Sequence, residues 1–468
     1  MNAVATPTVA IVGAGFSGTA VAMHLLARLP RHARVILIEA APRFARGVAY
    51  GTRSPSHWLN VPAGRLGWTP QDEGDFVAWL QARGSDAQAP DFVPRMQMGD
   101  YLASRLQDAI EQARLHGPVV ERLAAEVLAV HPQSPGHALV LADGSTLQVD
   151  AVVLACGHVP PVAPPLPHTA WSEPGLVADP WQPGALAHLP ETGDVLVMGT
   201  GLTAIDVMTW LQDRGHEGRV TLLSRRGLLP QAHRTLEARP PVGLSPVAEL
   251  GDERRLRFMV KAMRRWVDQA QAQGRDWRDV MASLRACTPQ LWQRLSLRDR
   301  RQFLRHVVPY WDTHRHRLAP GIHRRLQAAR QAGHVEVAAG RLHSLLRLPD
   351  GQWRAAWGPR GGGPLEHRDV VAVINCTGAS TSLRAATTPL LTQLRQDGLL
   401  CADALNLGLQ MSGSTQPVAA NGQTTPGLYY VGPMLKADRW EAIAIPELRQ
   451  HALEVAEAVL KDLSVCSV

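Results

Sequence analysis

The sequence predicts an α/β protein made of two Rossmann-like dinucleotide-binding domains, the first interrupted by the second, with a helical insert inside the second. Three observations predict this. The stretches "VAIVGAGFSGTAV" (Val9 to Val21) and "VLVMGTGLTAIDV" (Val195 to Val207) each run from an apolar strand through Gly-x-Gly-x-x-Gly or Ala into a helix-like segment. Each is followed by a second short apolar strand, "VILIE" and "VTLLS". The chain has 468 residues, too many for one ordinary core, and is 45 % hydrophobic, enough for a large buried interior.

The loops carry the chemistry. A strand turning sharply into a helix leaves the first backbone N–H groups of the helix unpaired, and these attract a pyrophosphate. In the first loop Gly13, Gly15, Phe16, Ser17 and Gly18 would line that group, and Glu39 ends the next strand where a ribose hydroxyl needs an acceptor. In the second, Gly199, Gly201 and Thr203 occupy the loop, and Ser224, Arg225 and Arg226 stand where the first unit has its acid. A carboxylate there would repel a 2′-phosphate, whereas guanidinium groups would bind one. The reading is FAD in the first unit and NADPH in the second.

The remaining elements follow in order. "GVAYGT" and "SPSHWLNVPAGRLGW" are punctuated by Pro and Gly without a period, which predicts an ordered loop over a ligand. A helix is predicted over Gly99 to Leu115, then a hairpin turning at Asp143 and Gly144 and a strand entering Cys156 and Gly157. Pro160, Pro161, Pro164, Pro165 and Pro167 form a linker. A helical insert is predicted over about residues 247–332, followed by a further hairpin and the strand "VVAVINCTG", Val370 to Gly378. A short strand, a turn and a long amphipathic helix close the chain, the first turn of that helix directed at the first ligand. The expected domains are 1–190 with 377–468 for FAD and 191–376 for NAD(P)H.

Composition excludes several classes. The five cysteines, Cys156, Cys287, Cys376, Cys401 and Cys466, form no C-x-x-C pair, which argues against a disulfide framework, a zinc site and a dithiol flavoenzyme. The net charge of +7 is local, because residues 251–330 hold roughly 19 Arg plus Lys against roughly 7 Asp plus Glu, about +12. Trp266, Trp277, Trp292 and Trp311 recur there at helix-like spacing, the inner face of an insert rather than a surface for bases, so no nucleic-acid partner is expected. No run approaches the roughly 20 apolar residues of a membrane span, and no early apolar stretch has signal-peptide flanks; a soluble cytoplasmic protein is expected. His314 and His316 lie two apart and would face different ways on a helix, with no acidic cluster beside them, so no metal is expected. Arg315 and Arg317 read as anion clamps or, equally, as salt bridges between lobes; His233 reads as a proton carrier or a structural histidine.

Together "GAGFSG", "GVAYGT…HWLNVPAG", "ACGHVPP", "GTGLTAID", "SRRGLLP", "WDTHRHRLAP" and "WEAIAIPE" resemble the bacterial FAD-NAD(P)-binding proteins related to class B flavin monooxygenases and to ornithine or lysine N-hydroxylases. The resemblance implies His57, Trp58, Leu59 and Asn60 under the flavin ring, with Asn60 as the catalytic amide beside its reactive edge, holding a peroxyflavin. Val127, Cys156, Gly157, Gly432, Trp440 and Ala444 would complete the cofactor contacts. Trp311, Arg315 and Arg317 would close over a small, carboxylate-bearing substrate at the lobe junction. The implied activity is a monooxygenase taking hydride from NADPH and using molecular oxygen to hydroxylate a small amine or amino-acid-like molecule. The segment "HTAWSEP" (His168 to Pro174) only faintly echoes the flavin monooxygenase fingerprint, which keeps two alternatives open: an NADPH:acceptor reductase without oxygenation, and a flavin-loaded redox-responsive binding protein.

Overall fold

The computed structural model describes residues 6–166, 169–234, 243–413 and 415–465. Two five-stranded sheets organise it. The first is ordered Leu428–Tyr430, Ala151–Leu154, Thr8–Val12, Arg34–Glu39, Val119–Ala124, and every neighbouring pair is parallel. The second is ordered Val335–Ala339, Val220–Ser224, Val195–Met198, Ala372–Asn375, Leu176–Val177, again wholly parallel. Strands covered on both faces must be apolar throughout rather than alternating, which is why the central strands are "VAIV", "VILI", "VLVM" and "VTLL", buried at every one of these positions.

The two lobes are one topology used twice. Each runs strand, glycine turn, helix, strand, a long excursion, strand, a three-stranded antiparallel sheet and an exit strand. The antiparallel sheets are Val127–Pro132, His137–Leu141, Thr146–Val149 in the first lobe and Arg341–Arg347, Trp353–Gly358, Glu366–Val370 in the second. The lobes differ in the excursion. In the first it contains the helices Asp75–Gln81 and Arg95–His116. In the second it is the insert, whose helices include Leu256–Ala272, Trp277–Arg294, Val308–Arg315 and Pro320–Gln331.

The edge strand Leu176–Val177 lies ahead of residue 191, so the second sheet draws on chain that a boundary at 190 assigns to the first lobe. The proline-rich linker ends just before it, and once the chain can donate and accept again it joins the exit strand Ala372–Asn375. The helix expected from Gly99 begins at Arg95, directly after Pro94. His168, which opens "HTAWSEP", and Cys466 lie outside the described residues. Among the described residues, no helix is long and apolar enough to cross a membrane.

The insert is held to the C-terminal segment by polar contacts. The Trp292 indole N–H donates to the Ala437 carbonyl (2.9 Å), Arg285 Nη2 to Glu447 (2.7 Å), and Arg315 donates twice to Glu441 (2.7 and 3.1 Å). These contacts join the excursion of one lobe to the C-terminal segment of the other, whose final helix, Ile445–Val465, packs on the first glycine-loop helix, Phe16–Leu26.

Candidate functional site

The two glycine loops have matching geometry. Gly13 and Gly199 adopt φ of +103° and +120°, a region that side chains avoid. A Cβ on either would collide with the backbone carbonyl of the residue after the exit strand, Ala155 for Gly13 and Cys376 for Gly199. The N–H of each bonds across to the second strand, Gly13 to Ile38 (2.8 Å) and Gly199 to Leu223 (2.7 Å). The second glycine of each loop does the opposite and faces open space. A Cβ on Gly201 would meet nothing within 4 Å, and one on Gly15 would touch only the Cα of Gly47 at 3.6 Å. The first intrahelical bond of the first lobe runs from Thr19 N to Gly15 O (3.1 Å), so the N–H groups of Phe16, Ser17 and Gly18 precede any helical acceptor. Tight backing behind the first glycine and space in front of the second is what a dinucleotide pyrophosphate needs, so the residues present fit FAD and NADP.

Gly201 provides a clean test, because its φ of −82° and ψ of −169° suit any residue. Gly201→Val should leave the melting temperature unchanged and slow flavin reduction by NADPH roughly ten-fold or more, the loss of a phosphate hydrogen bond plus steric block. Stopped-flow reduction beside a thermal melt checks it; a coincident fall in melting temperature would assign the glycine a packing role.

Around the first loop, Glu39 Oε2 accepts from Ala14 N (2.8 Å) and its other oxygen from Ala41 N (3.4 Å), which fixes the carboxylate at the loop mouth. The chain leaving the last parallel strand bonds the Glu39 carbonyl through Ala125 N (3.0 Å), and Val127 beyond it is buried in the core. Burial, followed by the Glu39 charge, keeps the Cys156 thiol protonated, pushed up to about 12. Gly157 takes φ +70° with open space at its Cβ position. Gly432, at φ +144°, ends the strand beside the exit strand, and Ala444 caps the final helix by accepting from Leu448 N (2.9 Å).

At the end of the second lobe's Val220–Ser224 strand, Ser224 Oγ accepts from Gly227 N (3.1 Å) and lies 3.0 Å from the Thr200 hydroxyl. Thr203 is in the first turn of the helix that follows the loop. Arg225 is exposed. Arg226 reaches toward the insert, its guanidinium 5.4 Å from the Tyr310 ring centre and one nitrogen buried without a partner. The corner formed by Ser224, Arg225 and Arg226 therefore lies between this strand end and the insert.

The junction of the lobes gathers the other predicted residues. The segment His57–Asn60 pairs with the chain entering the Arg95 helix, through Leu59 N to Val93 O (2.9 Å) and Arg95 N to His57 O (2.7 Å). Thr52 contacts His57 Nδ1 (2.7 Å), and Trp58 lies against Gly321 of the second lobe. Asn60 is half-buried, and its backbone carbonyl accepts from His233 Nε2 (2.9 Å). Burial, then the charges of Arg317, Arg278 and Arg315, push His233 down to about 3. At neutral pH it is therefore a neutral donor to this carbonyl. A folded-state value below the unfolded one means its stabilisation is complete above about pH 6.5 and is lost as pH falls toward 3. His233→Gln, which keeps a donor, should flatten that part of a stability–pH profile measured by denaturation.

Arg317 stands apart from its neighbours. Arg234 pairs with Asp276 and Asp279 (2.7 and 2.8 Å), and Arg278 donates to Asp276 (3.3 Å) and the Ala232 carbonyl (2.9 Å). Arg317 has a buried Nε with no partner, its guanidinium 5.8 Å from the Trp277 ring centre. Burial, then Arg278, Arg315 and Arg234, push it down to about 10 against the opposing charge of Asp276, so it remains charged at neutral pH.

Two expected residues serve elsewhere. Arg315 is a salt bridge, not a free clamp: its guanidinium is committed to Glu441, with Glu447 at 3.6 Å, and both members of the main pair are buried. Trp440 does not line the nucleotide loop but turns into the insert, 4.7 Å from Trp292 and 5.0 Å from Phe303 between ring centres. Trp311 faces the same aromatic cluster, 6.0 Å from Phe303. His314 is tied to the Tyr310 carbonyl (2.8 Å) and meets Trp277 edge-on. Sequence reading missed Glu441, Arg278 and the latch between the lobes, Arg95 to Asp206 (2.9 Å). Asp276 did leave a signal, since an Asp before "WRDV" is a helix cap, and it accepts from Arg278 N (2.6 Å).

Residues 10–159 match the family model described as FAD-NAD(P)-binding. No curated protein matches the chain by sequence. Among solved structures, the ornithine N-hydroxylase of Kutzneria sp. 744 is similar over 98 % of this chain and 99 % of its own, at 15 % identity and a TM-score of 0.64. The reduced ornithine hydroxylase of Pseudomonas aeruginosa is similar over 98 % and 100 %, at 17 % identity and 0.63. The L-lysine 6-monooxygenase of Pseudomonas syringae covers the same shares at 15 % and 0.58. The likeness spans both lobes and the insert, and at these identities it shows a common fold.

Proposed function

We propose that the protein is an FAD-dependent, NADPH-using monooxygenase that hydroxylates the amine of a small, carboxylate-bearing molecule. The overall reaction balances as amine plus dioxygen plus NADPH plus a proton giving hydroxylamine, NADP⁺ and water. The observation that carries the reading is Arg317, a half-buried cation whose Nε has no hydrogen-bond partner among the described residues and whose charge acts on His233, the residue that holds the Asn60 carbonyl. The paired glycine cradles support both cofactors, and the shared fold with ornithine and lysine hydroxylating enzymes supports the substrate class.

The chain's own residues divide the work. Gly13, Gly15, Phe16, Ser17, Gly18 and Glu39 would hold FAD, and Gly199, Gly201, Thr203, Ser224, Arg225 and Arg226 would hold NADPH. Bound FAD would pass reducing equivalents from NADPH to dioxygen. His233 fixes the Asn60 backbone while staying neutral, which leaves the Asn60 amide free to donate and accept at the reacting centre. Arg317 would anchor the substrate carboxylate and so set the reach of its amine.

Ornithine and lysine should stimulate NADPH oxidation with formation of hydroxylated product, whereas putrescine and cadaverine, which lack the carboxylate, should stimulate it weakly. Asn60→Ala should keep NADPH-driven flavin reduction and release hydrogen peroxide in place of product. NADPH oxidation without hydroxylated product from any amine, and unchanged coupling in Asn60→Ala, would favour the reductase instead.

A further inference from the structure

The insert and Trp440 border a cavity of about 80 Å³ that no part of the proposed reaction uses. Three departures from regular backbone meet at its wall. The helix Trp277–Arg294 carries Pro289 in its interior, and the flanking Thr288 and Leu291 line the cavity. The next long helix is broken by one π-turn, Phe303–Val307, and both of those end residues line it as well. Trp440 adopts φ +61° and ψ −53°, an unfavourable conformation for a bulky residue, and its ring forms another part of the wall. A proline inside a helix, a π-turn and a strained tryptophan each cost stability, and such features persist where surrounding structure holds them for a use.

The lining fixes the chemistry of the occupant. Three of its polar side-chain groups are already engaged: the Thr288 hydroxyl donates to Leu284 O (2.8 Å), the Trp266 indole N–H to Glu249 (2.6 Å) and the Trp292 indole N–H to Ala437 O (2.9 Å). The rest of the wall is aliphatic, thioether and aromatic, so an occupant is held there chiefly by apolar contact. Met259 and Met263 in the wall can adjust to an irregular shape. At about 10–15 Å³ for each water-sized group, the space takes roughly five to eight such groups, the length of a short alkyl chain. We propose that the insert is a binding site for a short, uncharged alkyl chain.

The test uses the full-length flavoprotein with two probes, 1-hexanol and hexane-1,6-diol, read by tryptophan fluorescence and by the shift in melting temperature. 1-Hexanol should bind saturably. The diol, which must bury a hydroxyl with no acceptor, should bind roughly 5- to 150-fold more weakly. Val260→Phe and Leu291→Phe, which fill the space, should each abolish hexanol binding while FAD content stays at the wild-type level. Failure of hexanol to bind, equal affinity for the diol, or hexanol binding that survives both substitutions would overturn the proposal. Should both variants fail to fold, the comparison of the two probes on the wild type decides it alone.

Discussion

Arg315→Ala and Glu441→Gln should each destabilise the protein by about 3–5 kcal/mol, the cost of leaving one member of a buried ion pair alone. The side chains are 10 % and 4 % exposed, so water cannot replace the lost partner. Each variant leaves a different orphan: Arg315→Ala leaves Glu441 without its two guanidinium hydrogen bonds, and Glu441→Gln leaves Arg315 with Glu447 alone, already shared with Arg285. The double variant Arg315→Met with Glu441→Leu should recover most of the loss, because it removes both charges from the low-dielectric site. Chemical denaturation followed by tryptophan emission measures this, and the insert should detach before the sheets unfold, since these contacts join it to the C-terminal segment of the other lobe. The same cluster sets an acid limit. Burial alone would raise the Glu447 carboxyl, but the Arg285 hydrogen bonds and the Arg285 and Arg315 charges outweigh it and hold it below its ordinary range. A depressed carboxylate contributes stability above its unfolded value near 4.5, so stability should fall as pH drops below that. A double variant as unstable as the singles would show that shape, not charge, holds the insert.

The parallel sheets were legible because two-sided burial writes itself into a sequence as unbroken apolar runs beside glycine turns. The repeat of one topology was legible for the same reason, since "LACG" and "INCTG" mark the exit strands against which Gly13 and Gly199 are packed. The partners of charged side chains were not legible. Arg315 and Arg317 are two positions apart, of one type, in one motif, yet among the described residues Arg315 forms ion pairs and Arg317 forms none. The difference is Glu441, more than a hundred residues away, which only the folded chain brings to Arg315. Trp440 illustrates the same limit, for its position after a strand and turn suggests the nucleotide, whereas its φ of +61° sends the ring into the insert. Long-range pairing and a single backbone dihedral leave no period or spacing to read.

Arg317→Ala should therefore behave opposite to Arg315→Ala. Its loss should lower kcat/KM for ornithine or lysine by about 10- to 150-fold, the range for a charge-assisted hydrogen bond of about 1.5–3 kcal/mol. The effect should lie mainly in KM, because an anchored carboxylate is bound alike before and during the reaction. Stability should stay level or rise, since an unpaired buried cation amid Arg278, Arg315 and Arg234 is a cost to the fold that substitution removes. Flavin reduction by NADPH in the absence of substrate should be unchanged, which separates a substrate anchor from a 2′-phosphate anchor; a selective loss of NADPH affinity would move Arg317 to the nucleotide site. Arg317→Lys should recover part of the activity with ornithine, because charge is restored while the two-pronged geometry is not. The decisive comparison uses a diamine beside its amino acid: cadaverine oxidation should be the same in wild type and Arg317→Ala, whereas lysine oxidation should fall to the cadaverine level. Equal losses for both would mean that the guanidinium shapes the site without reading a carboxylate.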